Sequence, residues 1–206
     1  MDLDCSMDTV PTAAAGLGQL YLDDLRERSA QTRRLGEQAL AQLEPEDWHR
    51  VYMPGDNSAA VLVQHLAGNM QSRWGLLRSG YRPGVDGEAP GRDRDAEFVD
   101  QGLSPAQLWE RWDTAWATFE AALAALDPQD LTRSLAIRSE PHTVLGALQR
   151  QAIHNSGHVY QLVMLAKSLR GSDWQTASIP RGGSQAHNRE LARRFEAGGR
   201  AEEPAS

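Results

Sequence analysis

Cysteine is almost absent: Cys5 is the only one in 206 residues. No intrachain disulfide can form, and a zinc site built from several thiolates is excluded. The sequence also lacks any apolar run near the roughly 20 residues that a membrane-spanning helix needs. Positive charge is in deficit, with 21 lysines and arginines against 28 aspartates and glutamates, for a net charge of −7. A broad phosphate-binding surface is therefore not expected, and neither nucleic acid nor a membrane is an expected partner. The opening MDLDCSMD has no basic segment followed by an apolar one, so no secretory leader is read there and the cytoplasm is the expected compartment. No internal repeat is found.

What the chain does have is helical periodicity. Its length suffices for one domain with a substantial core. Residues 1–13 read as a flexible lead, 14–188 as the helical domain and 189–206 as a tail. Leu17, Leu20, Tyr21, Leu25, Leu35, Ala39 and Leu43 recur at three- and four-residue steps, a first helix closed near Pro45 and Asp47. MPGDNS at 53–58 is a turn, in which Asp56, Asn57 or Ser58 can cap the next helix. That second helix carries Val61, Leu62, His65, Leu66, Asn69, Arg73 and Leu77. A loop rich in glycine, proline and charge follows at 79–95, long enough to be read as either mobile or functional. Ser104 and Pro105 suit the start of a third helix, whose stripe is Leu108, Trp109, Trp112, Trp116, Phe119, Leu123 and Leu126. Its tryptophans read as core or dimer interface rather than as a ligand platform. Residues 131–142 fit either a brief extended segment or a linker. A fourth helix runs from about 143 to 169 and stops at Gly171, and a short one is predicted around 188–197. Four long amphipathic helices with one long connection predict an all-α four-helix bundle.

The stretch HNSGH, 154–158, places two histidines one turn apart. On a helix they share a face, a common grip for a transition metal, although such a pair by itself is more often ordinary surface. The apolar stripe of this helix reads as Leu145, Leu148, Ala152, Val159, Leu162 and Ala166, with His154 and His158 beside it. His65 falls within the core-facing run of the second helix. A buried imidazole needs a partner, and the two open readings are a metal ion or a hydrogen bond to Asn69. Asn69 and Arg73 continue the face of His65, so a polar-lined cavity is expected there. Asn155 stands where the HExxH signature of zinc proteases requires glutamate, so that signature is absent, and any metal chemistry must take its base from elsewhere or need none. Arg73 could orient an anionic substrate or pair with Glu97. Asp95 and Glu97 could supply a base or merely cap a turn. Arg181 could bind an anion or fasten the C-terminal segment.

The segments VQHLAGNMQSRW (63–74), RDAEFVD (94–100), HNSGHVYQLVMLAK (154–167) and SIPRGGS (178–184), with the tryptophan-rich third helix, occur in an order that resembles the DinB/YfiT-like superfamily of metalloenzymes, and within it the DUF1572 group. The resemblance covers most of residues 17–188. It implies an up-down-down-up four-helix bundle that binds nickel or zinc through His65, His154 and His158. It further implies a thiol-dependent S-transferase or a hydrolase acting on a small-molecule substrate, with a low-molecular-weight thiol as a second cofactor, and a homodimer; Arg73 and Glu97, read from the residues themselves, are the candidate catalytic pair. The alternative is a non-catalytic metal-binding or stress-related helical protein. Asn155, Gly157 and Tyr160 depart from the residues usual in the group at those positions.

Overall fold

Helix caps divide the chain where the sequence places them. Ser58 Oγ accepts from the Val61 amide, Ser104 forms a reciprocal capping pair with Gln107, and Thr143 Oγ1 accepts from the Gly146 amide. In the computed structural model, which describes residues 13–75 and 91–199, these caps open helices α2 (Ala59–Trp74), α3 (Pro105–Ala124) and α4 (Val144–Arg170). Helix α1 (Ala13–Leu40) precedes them, and α5 (Ser184–Gly199) begins earlier than the expected 188. The lead before residue 13, Leu77, positions 79–90 of the long loop and the end of the tail lie outside the described residues. The chain separates into two compact units, Met1–Gly171 and Ser172–Ser206. No described helix is long and apolar enough to cross a membrane.

The fold is mostly helical, with one small two-stranded sheet. Residues 131–142 resolve as the hairpin β1 (Ser134–Ile137) and β2 (Glu140–Thr143), in register from Ser134↔Thr143 to Ile137↔Glu140. Its two turn residues, Arg138 at φ 53° and Ser139 at φ 64°, both lie in the left-handed region. Such a turn is normally written Asn-Gly, which is why the sequence left the hairpin undecided. The hairpin hands Thr143 directly to α4 as its cap.

In the first unit α2 packs on α3 and α1 on α4, with further contacts from α2 to α4 and from α1 to α3. Every residue of α2 from Ala59 to Ala67 is buried, as expected of a helix enclosed on all sides. Trp112 and Trp116 lie 5.5 Å apart with their rings tilted by 56° and Trp74 meets Phe119 at 5.2 Å, so the inner tryptophans are core, while Trp109 stands edge-on to Trp48 at the margin.

Two expected stripes shift. On α1, Leu17 and Leu20 are 68% and 66% exposed, and the buried face is Leu22 and Leu25. The reason is Gly18: a Cβ there would come within 2.9 Å of Pro128, so the helix turns its glycine face to the 128–132 turn and its early leucines outward. On α4 the centre of the buried face is Gln151 and Asn155 instead of Ala152. These two amides enter the core because they satisfy each other at 2.6 Å, while Gln151 accepts from Trp74 Nε1 at 2.9 Å.

Gly36 of α1 lies against Trp112, and a Cβ there would overlap the indole. Gly36→Ala is therefore expected to destabilise the fold by about 1–3 kcal/mol, overriding the helix-propensity gain of about 1 kcal/mol. Chemical denaturation measures this, and a stabilised variant would show that the α1–α3 contact is looser than described.

Candidate metal centre

His65 sits in the middle of buried α2 and is 2% exposed. His154 and His158 reach toward it from one face of α4, each half-buried. The three ring centroids lie 4.6–5.1 Å apart, and one nitrogen from each imidazole falls within 4.8 Å of the other two. His65 Nε2 and His154 Nε2 are 3.1 Å apart.

Hydrogen bonds decide which nitrogens face inward. His65 Nδ1 is 2.9 Å from Glu97 Oε2, and His158 Nδ1 is 2.9 Å from Gln161 Oε1. Both oxygens are acceptors, so each Nδ1 carries its proton and donates it, and the Nε2 lone pairs are left for the centre. His154 Nδ1 is buried without a hydrogen-bond partner among the described residues. Two nitrogens held about 2.0–2.1 Å from one ion at tetrahedral to octahedral angles lie about 3 Å apart, and the observed 3.1 Å matches. The donor set, three neutral imidazoles, suits a divalent transition metal. The fit of these residues to such an ion is therefore good.

His154 and His158 are held neutral by their surroundings. Burial, then the neighbouring His158, His65 and Arg73 charges, push His154 from 6.5 down to about 3. His158 is also lowered, chiefly by burial. Burial would raise Glu97, but the hydrogen bonds from His65 and Arg92 outweigh it and hold the carboxyl below its usual range. A carboxylate so held is a weak proton acceptor, and its geometry suits orienting His65.

The surrounding segment was legible only in part. Glu97 is also gripped by Arg92, whose Nε and Nη2 lie 2.7 and 2.8 Å from its two oxygens. Phe98 lies 4.3 Å from the His65 ring, and the Arg94 guanidinium sits 4.8 Å above Phe98. Gln64 ties this stretch to α2 by donating to the Val99 carbonyl at 3.0 Å and accepting from the Gln101 amide. Gly68 is required one turn below His65, because a Cβ there would overlap the Glu97 carboxylate. Arg73 is half-buried on α2, close enough to bear on His154. Asp95 is on the surface, its side chain 98% exposed, and Arg181 belongs to the second unit. Asn69 is buried but does not serve His65, whose Nδ1 turns to Glu97.

Sequence reasoning missed Arg92, Gly68, Phe98 and Gln161. Two of these had a signal. Gly68 costs a helix interior about 1 kcal/mol and so marks a close approach, and Gln161 stands three residues after His158 on the same helical face.

The lowered histidines make the metal-free protein acid-sensitive. Below 6.5 the unfolded chain gains a proton at residue 154 that the folded chain refuses until about 3, so stability is lost as pH falls through that window. Urea titrations of metal-free protein at pH 7 and pH 5 should show the loss, and His154→Gln should reduce it. Equal losses in both proteins would contradict the neutral, buried placement.

A family model, described as a protein of unknown function (DUF1572), matches residues 16–183. No curated protein and no solved structure matches the chain.

Proposed function

Because the chain belongs to the DUF1572 family over most of its length, and that family carries no assigned activity, we propose a function from the site itself: a divalent-metal-dependent enzyme, an S-transferase or hydrolase acting on a small molecule, with His65, His154 and His158 as ligands. In this reading α1 to α4 form the up-down-down-up four-helix bundle of the DinB-like superfamily. Nickel or zinc is the ion, and a low-molecular-weight thiol is the co-substrate. The observation that carries the proposal is the convergence of three imidazole nitrogens within 4.8 Å, with the opposite nitrogens of His65 and His158 taken by Glu97 and Gln161.

Three histidine ligands leave a divalent ion at least one open position, where it lowers the pKa of water or a thiol and supplies a nucleophile near neutral pH. The chain's own residues supply orientation. Glu97 and Gln161 hold the His65 and His158 tautomers, which raises ligand basicity and fixes ring angle. Arg92 keeps Glu97 ionised. Arg73, whose charge is felt at His154, orients an anionic group of the substrate or thiol.

Elemental analysis of untagged protein tests the proposal first. Near-stoichiometric nickel or zinc, followed by metal-dependent consumption of a thiol with an electrophilic aromatic halide, would sustain it. Protein that is empty and also refuses added zinc and nickel would overturn it. Bound metal with neither thiol transfer nor hydrolysis of activated esters and amides would leave the non-catalytic metal-binding reading.

A further inference from the structure

A cleft of about 360 Å³ opens between the turn at 52–57 and the C-terminal half of α4. Its size falls in the range of small-ligand pockets. Tyr52 and Asp56 from the turn, Leu62 from α2, and Gln161, Met164 and Leu165 from α4 form its walls. Tyr52 and Met164 are 61% and 64% exposed, large apolar side chains held in water around a concavity.

The charge of the cleft is one-sided. Asp56 is its one carboxylate, fixed by accepting the Met53 amide at 3.0 Å, and among the described residues no lysine, arginine or histidine lines it. In a chain of net charge −7, an anion would be opposed there. An organic cation gains from Asp56, and the Tyr52 ring and the polarisable Met164 sulfur that line the cleft are side chains of the kind that attract one.

Gln161 belongs to two places at once. It lines the cleft, and its Oε1 accepts the His158 Nδ1 proton at 2.9 Å. A molecule seated against the Gln161 amide therefore bears on the orientation of His158. We propose that this cleft binds a small organic cation with an apolar body, and that Gln161 transmits its occupancy to the histidine centre. The transmission rests on the metal-centre reading above, whereas the binding does not.

Hexyltrimethylammonium is a suitable probe, because a quaternary nitrogen cannot itself ligate a metal. Calorimetry on the full chain is expected to give roughly millimolar affinity, as befits about ten non-hydrogen atoms, and no binding of hexanoate. Met164→Lys, a change at an exposed position that leaves the fold intact, should weaken the probe at least about tenfold. In cobalt-loaded protein the probe should shift the visible cobalt bands, and Gln161→Met, compared at full cobalt loading and at probe concentrations that saturate its own cleft, should abolish that shift. No binding to the wild type, or equal binding of hexanoate, would overturn the proposal. Binding with unchanged bands in fully cobalt-loaded protein would overturn the transmission. A chain that takes no cobalt yet binds the probe would remove the metal reading, and the transmission with it, while sustaining the cleft as a cation site.

Discussion

His65→Ala is expected to lower zinc or nickel affinity by about a hundred- to a thousandfold. Structural zinc sites are worth roughly 10–16 kcal/mol over four ligands, or about 3–4 kcal/mol for each. His65 is the ligand with the least freedom, 2% exposed and fixed by Glu97, so its nitrogen is the best held of the three. Helical content should survive, because Glu97 and Arg92 still neutralise each other at 2.7–2.8 Å when the imidazole is gone. Competition with a chromogenic chelator measures the change. Wild-type affinity in a folded His65→Ala protein would mean that the ion, if any, is held elsewhere.

Glu97→Ala should damage stability and metal binding together. The Arg92 side chain is 5% exposed, and its guanidinium would lose the carboxylate that holds both Nε and Nη2. Removing one side of a buried pair is destabilising, by up to about 3–5 kcal/mol. His65 would also lose the acceptor that fixes its tautomer, and removal of such a partner lowers metal affinity about 10–100-fold. Glu97→Gln keeps the shape and an acceptor oxygen, so it should fall between wild type and alanine on both scales. Gly68→Ala approaches the same result from the other side, because its methyl group overlaps the space of the Glu97 carboxylate. Denaturation and chelator competition on the three variants are the measurements. Wild-type values for Glu97→Ala would show that the contact at 2.9 Å does not orient the histidine.

The sequence revealed local features well and distant ones poorly. Ser58, Ser104 and Gly171 bound their helices because capping is decided within a few residues. The pairing of His154 with His158 is equally local. Their meeting with His65 is not, and it was expected only from a resemblance, since no periodicity links α2 to α4. Glu97 was singled out, but as a base or a partner of Arg73. Its bonds to His65 and Arg92 depend on how the chain returns to α2 after the long loop, which helical spacing does not encode. The polar face of α4 misled for another reason. Taken one at a time, Gln151 and Asn155 are polar side chains that suit a surface, yet as a hydrogen-bonded pair they are well suited to the core.

The reach of the histidine cluster bears on how the chain resists unfolding. His65 and His154 are 89 residues apart, and the sequence has one cysteine and so no covalent staple of its own. An ion gripped by both helices would be a cross-link that closes a loop of that length. In a disordered chain, a closure of this span removes entropy worth on the order of 4–5 kcal/mol. The centre would then act as a reversible staple, loosened by a chelator instead of a reductant. The heat resistance of the protein would rise and fall with the free metal concentration around it.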